Sequence, residues 1–164
     1  TQVLTLFPYT TLFRSVLALL AVATLAAFAG VPHNGWVSLD DPAYVTREPH
    51  VAGGLTGANL AWALTQPHAA NWHPLTSLSH MLDVTLFGLE PAGHHAVSLL
   101  LHVLNAVLLA LVLFRLSGAW WRSLLVAALF ALHPLRVESV AWVSERKDVL
   151  SGLFFVLTLG TYGD

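Results

Sequence analysis

The chain has 164 residues, of which 56% are hydrophobic and only 10% are charged. A soluble domain carries roughly 25% charged residues, so this composition is typical of a membrane protein. The net charge is −2 and the seven lysines and arginines are scattered, which excludes a nucleic-acid partner that needs a basic surface. The chain has no cysteine, which excludes disulfides and thiolate metal sites.

The first fifteen residues need separate treatment. Residues 5–15 match, one for one, the in-frame translation of a sequencing adapter. We therefore predict that residues 1–15 are an artefact outside the natural fold, as an expression tag would be; the alternative is a short stretch of natural protein. Since the chain stops in or just after an apolar helix, we expect it to be a fragment of a longer protein.

About four transmembrane helices are predicted, with one long polar segment after the first. The first, at about 16–32, is near the minimum length for a span, and a cleaved signal sequence is the alternative. Apolar runs predict the others at about 95–115, 122–133 and 148–162. The polar segment, residues 33–94, is expected to carry two helices in the membrane interface, one capped by Thr56 and one from Pro74 to about Phe87.

The orientation follows from the shortest loop. Arg115 and Arg122 flank a loop without acidic residues, and the positive-inside rule makes that loop cytoplasmic. Helix parity then places residues 33–95 and 133–148 on the outer face, where they hold every acidic residue except Asp164. Because charge near a bilayer is costly, a charged cluster on one face predicts a functional site.

An acidic pair, Asp40 and Asp41, follows the first helix at this outer face. Adjacent carboxylates can act as a general base or hold a divalent cation. A structural pair in a loop or helix cap is the plain alternative. The pair alone therefore leaves its role open.

A polar stripe runs along the second predicted span. Its members are His95, Ser98, His102 and Asn105, which fall within about 80° of one another at 100° per residue. Hydrogen bonds between helices are the plain explanation, above all for His102 and Asn105, and an ion-coupled carrier is a further reading. His94 and His95 are expected nearer the surface, as candidates for substrate contact.

Further candidates follow the third predicted span, namely His133, Glu138, Arg146 and Lys147. Arg146 and Lys147 together could clamp a phosphate. Internal ion pairs, such as one with Glu145, are the alternative.

Histidines in the long polar segment raise the question of a metal. His73, His80 and Asp83 lie close in sequence, but a zinc site needs three or four converging ligands and no closely spaced histidine pair supports one. The sequence therefore assigns no metal ligand, and a divalent cation stays the only cofactor considered.

Several ordered motifs resemble one known family over about residues 34–162. They resemble the membrane half of bacterial tetratricopeptide-repeat membrane proteins, which are related to the transmembrane and tetratricopeptide-repeat O-mannosyltransferases. The motifs include Asp40-Asp41-Pro42-Ala43-Tyr44-Val45, Asn71-Trp72-His73-Pro74-Leu75-Thr76, Leu78-Ser79-His80-Met81-Leu82-Asp83, Gly93-His94-His95 and the run from Leu129 to Ser151.

This resemblance implies an all-α polytopic membrane protein, here a fragment with part of the GT-C fold of the dolichyl-phosphate-mannose protein mannosyltransferase superfamily. Such enzymes take a sugar from a polyprenyl-phosphate donor on the outer face and transfer it with inversion, here to protein Ser or Thr at a bacterial inner membrane. Their first outer loop carries an acidic pair followed by an aromatic residue, which Asp40, Asp41 and Tyr44 match. Asp40 is then the expected base, while Asp41 replaces a usual Glu.

The expected partners are the lipid-linked sugar, a protein acceptor and membrane lipid. The expected substrate-binding set comprises Tyr44, His73, His94, His95, His133, Glu138, Arg146 and Lys147. Since the family has more helices and a repeat domain, we expect this chain alone to be inactive. The alternative function is a membrane-anchored tetratricopeptide-repeat scaffold with a degenerate transferase region.

Overall fold

The computed structural model describes residues 7–162, and side chains from residue 11 onward. Every regular element in that range is helical. The eight α-helices are α1 Phe7–Ala27, α2 Pro49–Ala52, α3 Gly57–Thr65, α4 Pro74–Phe87, α5 Pro91–Ser117, α6 Trp120–Leu132, α7 Arg136–Ala141 and α8 Arg146–Thr161. Single turns of 3-10 helix lie at Val31–His33 and Val143–Glu145, and a π-helical turn lies at Pro42–Thr46.

Helix α5 is the centre of the bundle and packs against α1, α6, α7 and α8. It has 27 residues, which makes it roughly 40 Å long. Pro91 opens it, because the fixed φ of proline suits a first helical turn. Gly118 ends it in the left-handed conformation with φ 66°, which glycine adopts without strain. The helix expected at 95–115 is therefore present and extends further at both ends.

Two stretches are long and apolar enough to cross a membrane, Thr11–His33 and Pro91–Ser117. Helices α6 and α8 have 13 and 16 residues and are shorter than the ~20 residues of a typical span. Helix α6 ends at Leu132 because Pro134 disfavours helical backbone at the residue before it. Large apolar side chains such as Leu19, Leu129 and Phe155 are more than 60% exposed, as expected on a lipid-facing surface.

Helix α1 begins inside the stretch that the sequence assigns to an artefact. Residues 1–6 of that stretch lie outside the described residues, while residues 7–15 form the first turns of α1. Phe13 is buried, and its ring centroid lies 4.7 Å from that of Phe114. A foreign apolar sequence can also extend a helix, so the artefactual origin stays a prediction.

The long polar segment folds over the end of the bundle at which α5 begins. The two helices expected in it are confirmed: Thr56 Oγ1 accepts the Asn59 N–H at 3.1 Å at the start of α3, and α4 runs from Pro74 to Phe87. Helix α4 turns its polar residues inward, so that His80 and Asp83 are buried, whereas Leu82 and Leu86 are exposed. This inverted pattern fits the interfacial position expected for α4.

Candidate functional site

The structure brings distant charged segments together at the N-terminal end of α5. The turn that carries the acidic pair contacts the segment before α8, across 103 residues of sequence. At this end the charged groups form two regions. We call the first the closed cluster, which is centred on Arg146, and the second the open rim, which is formed by Asp40, Tyr44, His73 and Lys147.

Asp41 is fully buried and held by the chain's own donors. Its Oδ2 accepts the Val37 N–H at 2.7 Å, and its Oδ1 accepts the Ser144 N–H at 3.0 Å and the Ser144 hydroxyl. Both carboxylate oxygens are thus occupied. Asp41 joins the acidic turn to the segment before α8, which fits a positioning role better than proton transfer.

Asp40 differs from its neighbour in being half-buried. Its carboxylate forms no hydrogen bond with another residue in the described part of the chain. Its backbone carbonyl accepts the Tyr44 N–H at 3.0 Å, which fixes the π-helical turn and the separation of the two residues. The Asp40 side chain therefore stays available to a substrate.

Lys147 is the cation of the open rim. Its Nζ donates to Glu145 Oε1 at 2.9 Å and lies 5.2 Å from the centroid of the Tyr44 ring. Partial burial lowers the pKa of Lys147, but the hydrogen bond and charge of Glu145, with Tyr44 and Asp40, raise it above its usual value. The ion pair with Glu145 is the alternative that the sequence left open, and Lys147 stays half-exposed within it.

Arg146 is fully buried at the centre of the closed cluster. Its Nε donates to Ser98 Oγ at 2.9 Å and its Nη1 to Ser79 Oγ at 2.8 Å. Its Nη2 donates both to Asp83 Oδ2 and to the His94 carbonyl, each at 2.7 Å. Arg146 therefore ties α8 to α4 and α5, and it pairs with Asp83 rather than with Glu145. Its role in binding a donor phosphate stays an untested prediction, and its guanidinium is committed to internal partners.

Two histidines complete the closed cluster. His80 is fully buried and neither ring nitrogen has a hydrogen-bond partner among the described residues. Burial, and then the positive charge of Arg146, hold the pKa of His80 well below its usual range. Burial also raises the pKa of Asp83, although Arg146 opposes that rise. One ligand atom each from His80, Asp83 and His94 lie within 4.8 Å of one another.

A group of aromatic rings borders the open rim. The His73 ring centroid lies 5.4 Å from those of Tyr44 and His68. His68 is fixed from both sides, because its Nδ1 lies 2.8 Å from Ser77 Oγ and its Nε2 lies 3.1 Å from the Ala43 carbonyl. Burial lowers the pKa of His68 and of His73, so both rings are neutral near pH 7.

An apolar groove of about 490 Å³ opens beside the rim, between the start of α4 and α8. Leu75, Leu150 and Phe154 line its length, and His73 and Lys147 also line it. Both nitrogens of His73 are without a hydrogen-bond partner in the described part of the protein. The groove thus combines an apolar channel with a cation and a neutral imidazole.

A larger cavity, of about 610 Å³, lies on α5, α6 and α8. Its cation, Arg136, is already engaged: the guanidinium lies 4.3 Å from the Phe130 ring centroid and 3.7 Å from Asp148 Oδ2. We therefore favour the smaller groove, whose cation Lys147 is influenced by the charge of Asp40, as the candidate site.

The polar stripe of α5 is buried and connects helices. His102 Nε2 lies 2.9 Å from the Ala131 carbonyl of α6, and Asn105 Nδ2 donates to the Val149 carbonyl of α8 at 2.7 Å. Hydrogen bonding between helices, the plain explanation for these two residues, is therefore confirmed. Gly152 permits the second contact, since a Cβ there would lie 3.1 Å from Asn105 Nδ2.

His94 and His95 are fully buried, not near the surface as the sequence indicated. The long polar segment folds over the start of α5, so that the Gly88 and Gly35 carbonyls lie 3.2 and 3.3 Å from the respective Nε2 atoms. The Trp36 ring covers His94 at 5.0 Å between centroids. The structure places both rings inside the fold.

His133 and Glu138 lie apart from these groups in their bonding. His133 is exposed and its Nδ1 accepts the Leu135 N–H at 3.2 Å. Glu138 is exposed on a shallow groove that it shares with Leu39 and Trp142. Neither side chain forms a hydrogen bond with the open rim in the part of the chain described.

Ser144 is the residue of this region that the sequence did not single out. It holds Asp41 through both its N–H and its hydroxyl. A lone serine in a polar segment carries no periodic or spacing signal. Only the fold, which brings residues 41 and 144 together, reveals it.

Several curated proteins are similar to this chain. Protein O-mannosyl-transferase tmtc2 of Xenopus laevis is 36% identical over 107 residues, which cover 63% of this chain and 13% of that protein. Protein O-mannosyl-transferase TMTC1 of Mus musculus is 31% identical over 160 residues, covering 88% of this chain and 16% of that protein. Protein O-mannosyl-transferase TMTC4 of Homo sapiens is 40% identical over 106 residues, covering 56% of this chain and 14% of that protein.

The chain thus spans only 13% to 16% of the length of these three relatives. No protein-family model matches it. No solved structure matches it. The homologues support the family resemblance seen in the sequence motifs and, with the two long apolar helices, indicate a membrane protein.

Proposed function

We propose that this chain is part of the membrane domain of an inverting glycosyltransferase of the O-mannosyltransferase family. The enzyme moves a mannose-type sugar from a polyprenyl-phosphate donor to Ser or Thr of a protein. The observation that carries the proposal is the apolar groove that Lys147 and His73 line, together with the Asp40 carboxylate, which has no hydrogen-bond partner among the described residues and whose charge acts on Lys147. The named homologues, all protein O-mannosyl-transferases, support it.

Asp40 is the proposed general base. A base must reach the proton that it abstracts, and the Asp40 carboxylate is half-buried and free of internal hydrogen bonds among the described residues. Asp41 is the proposed positioning residue, because its three bonds fix the turn that presents Asp40.

The groove is the proposed binding site of the donor lipid. Leu75, Leu150 and Phe154 offer an apolar channel for the first isoprene units. Lys147 supplies a charge-assisted contact to the phosphate, and the His73 ring borders the groove beside it. Arg146 acts indirectly, by fixing the start of α8 and with it Lys147.

In the proposed step, Asp40 takes the proton from an acceptor hydroxyl as its oxygen forms a bond to the anomeric carbon. The bond from that carbon to the phosphate oxygen breaks, and its electron pair leaves with the polyprenyl phosphate. Attack opposite the leaving group inverts the anomeric centre. Lys147 stabilises the phosphate as its negative charge grows.

The proposed setting is a GT-C membrane domain at a bacterial inner membrane, in a longer protein that continues into tetratricopeptide repeats. Helices α1 and α5 cross the bilayer, and the shorter α6 and α8 complete about four spans. The acidic turn and the groove then face the extracytoplasmic side, because Arg115 and Arg122 mark the cytoplasmic loop.

The test uses the full-length protein in membranes, with radiolabelled polyprenyl-phosphate mannose as donor. We expect label to reach protein with the natural sequence and to fall by about 10²- to 10⁴-fold in Asp40→Asn, since that range is typical for loss of a general base. Glu90→Gln is the matched control, because Glu90 is an exposed acid whose side chain does not cap α5. It should transfer label normally.

Retained transfer in Asp40→Asn would remove Asp40 from the proposed role. Folded protein that transfers no label from any common polyprenyl-phosphate sugar would overturn the transferase proposal. In that case binding of partner proteins would favour the scaffold function.

A further inference from the structure

The closed cluster contains a group of side chains that the proposed reaction does not use. His80 and Asp83 come from α4, and His94 comes from the second turn of α5. All three are buried, with 0%, 2% and 0% exposure. One nitrogen or oxygen from each lies within 4.8 Å of the other two. Among the described residues, this is the only such group of three potential metal ligands.

The histidine nitrogens of this group lack hydrogen-bond partners. Both ring nitrogens of His80 are buried and unpartnered among the residues described, and so is Nδ1 of His94. Buried polar atoms are nearly always satisfied, so three unsatisfied nitrogens in one cluster indicate a missing partner. His94 Nδ1 lies 3.5 Å from Asp83 Oδ2, which directs it toward the carboxylate.

We infer that His80, Asp83 and His94 bind a divalent transition metal of the zinc class, which fastens α4 to α5. Two imidazole nitrogens with one carboxylate favour Zn²⁺ or a similar ion over Mg²⁺ and Ca²⁺, which prefer oxygen ligands. Ligands of a four-coordinate zinc lie roughly 3.3 Å apart, so small side-chain rotations would close this group around an ion.

The surroundings of the group fit this inference. Arg146 donates to Asp83 Oδ2, as the outer partners of metal-bound carboxylates do, and so orients the ligand. His94 Nε2 lies 3.2 Å from the Gly88 carbonyl, which makes that nitrogen the donor and leaves Nδ1 free to bind metal.

The group offers three protein ligands, so a water would have to complete a tetrahedral site, and burial keeps substrate away from it. Catalytic metals keep an open position for substrate or water, whereas these ligands are almost inaccessible. The site is also separate from the open rim, where Asp40 and Lys147 lie. The inference therefore stands independently of the proposed transferase function.

The test is metal binding by the full-length protein in detergent, after removal of bound metal with a chelator. We expect one equivalent of Co²⁺ per chain, with visible d–d bands that Zn²⁺ abolishes. Binding should weaken at least about tenfold in His80→Ala and in His94→Ala. His33→Ala is the control, because His33 is exposed and outside the cluster, and it should bind normally.

A second measurement needs no variant and so does not depend on whether the variants fold. X-ray absorption at the zinc edge of the loaded natural protein should show two imidazoles and one or more oxygen ligands. Binding well below one equivalent, a spectrum without histidine, or equal affinity in His80→Ala and the natural protein would each overturn the inference.

Discussion

The closed cluster and the open rim each take a cation from the start of α8, Arg146 and Lys147, yet these neighbouring residues differ in burial and in their partners. Arg146 is fully buried and makes four hydrogen bonds to α4 and α5. Lys147 is half-exposed and lines an apolar groove. Consecutive residues on a helix point about 100° apart, so two adjacent cations reach different surroundings.

The acidic pair repeats this contrast. Asp41 is buried with both oxygens occupied, whereas Asp40 is half-buried with a free carboxylate. In each pair one charge is buried among the chain's own hydrogen-bond partners and the other is partly exposed. Neighbouring charged residues in a membrane protein should therefore each be assigned a role from their own burial and partners, rather than being treated together as one site.

The largest expected effect is on stability, at Arg146. Arg146→Met leaves Asp83 buried without its cation, and breaking one partner of a buried ion pair costs about 3–5 kcal/mol. Thermal unfolding in detergent measures this. Lys147→Met is the matched control in the neighbouring position, and an exposed ion pair such as its contact with Glu145 contributes about 0–1 kcal/mol. Equal losses in the two variants would abolish the distinction between cluster and rim.

Asp41→Asn sharpens the contrast within the acidic pair. The amide presents an N–H₂ group where the carboxylate accepted hydrogen bonds from Val37 and Ser144, so at least one buried donor loses its acceptor. We expect a loss of about 1–3 kcal/mol in the free energy of unfolding. Asp40→Asn should leave unfolding nearly unchanged. Chemical denaturation of both variants measures the two free energies of unfolding. Greater destabilisation by Asp40→Asn than by Asp41→Asn would show that Asp40, not Asp41, is the structural carboxylate.

In the metal-free protein, the closed cluster should also make stability depend on pH. His80 has a folded pKa well below 6.5, whereas the unfolded chain titrates near 6.5. Below pH 6.5 the unfolded state binds a proton that folded His80 excludes, so stability falls as pH decreases, by up to about 1.4 kcal/mol per pH unit.

Melting curves of the natural protein and of His80→Gln, recorded from about pH 7.5 to about pH 5, test this. The raised pKa of Asp83 acts in the opposite direction at lower pH, so the difference between the two proteins isolates His80. Parallel curves would show that His80 does not titrate as its burial requires.

The smallest expected effect is on stability, at Asn105 in the middle of the bundle. Asn105→Leu removes the hydrogen bond to the Val149 carbonyl, and such bonds between membrane helices contribute about 0.6 kcal/mol on average. The melting temperature should fall only slightly, and sugar transfer by the full-length protein should persist. A loss of transfer at unchanged stability would instead point to a functional polar pathway along α5.

Local chemistry allowed much of the fold to be predicted from the sequence. Pro74 and Thr56 marked the starts of α4 and α3 because proline and threonine have specific positions at helix ends. The periodicity of α5 grouped His102 with Asn105. These features depend on neighbours a few residues apart, which the sequence displays directly.

Burial could not be predicted in the same way. His94 and His95 were predicted near the surface but are buried, because residues 33–90 fold over α5 through long-range contacts that no local pattern specifies. Arg146 was grouped with Lys147 for its charge, although its partners Ser79 and Asp83 lie more than sixty residues away. Which member of a charged pair faces inward depends on helix packing that no local pattern specifies.

The most direct test of the distinction between the closed cluster and the open rim is the KM of the Lys147→Met variant for the sugar donor. If the open rim binds the donor phosphate, the full-length variant should keep its melting temperature while the KM for polyprenyl-phosphate mannose rises about tenfold to a hundredfold, equivalent to losing a charged hydrogen bond of about 1.5–3 kcal/mol. An unchanged KM in a folded, active Lys147→Met protein would contradict the account, because the rim would then hold no donor.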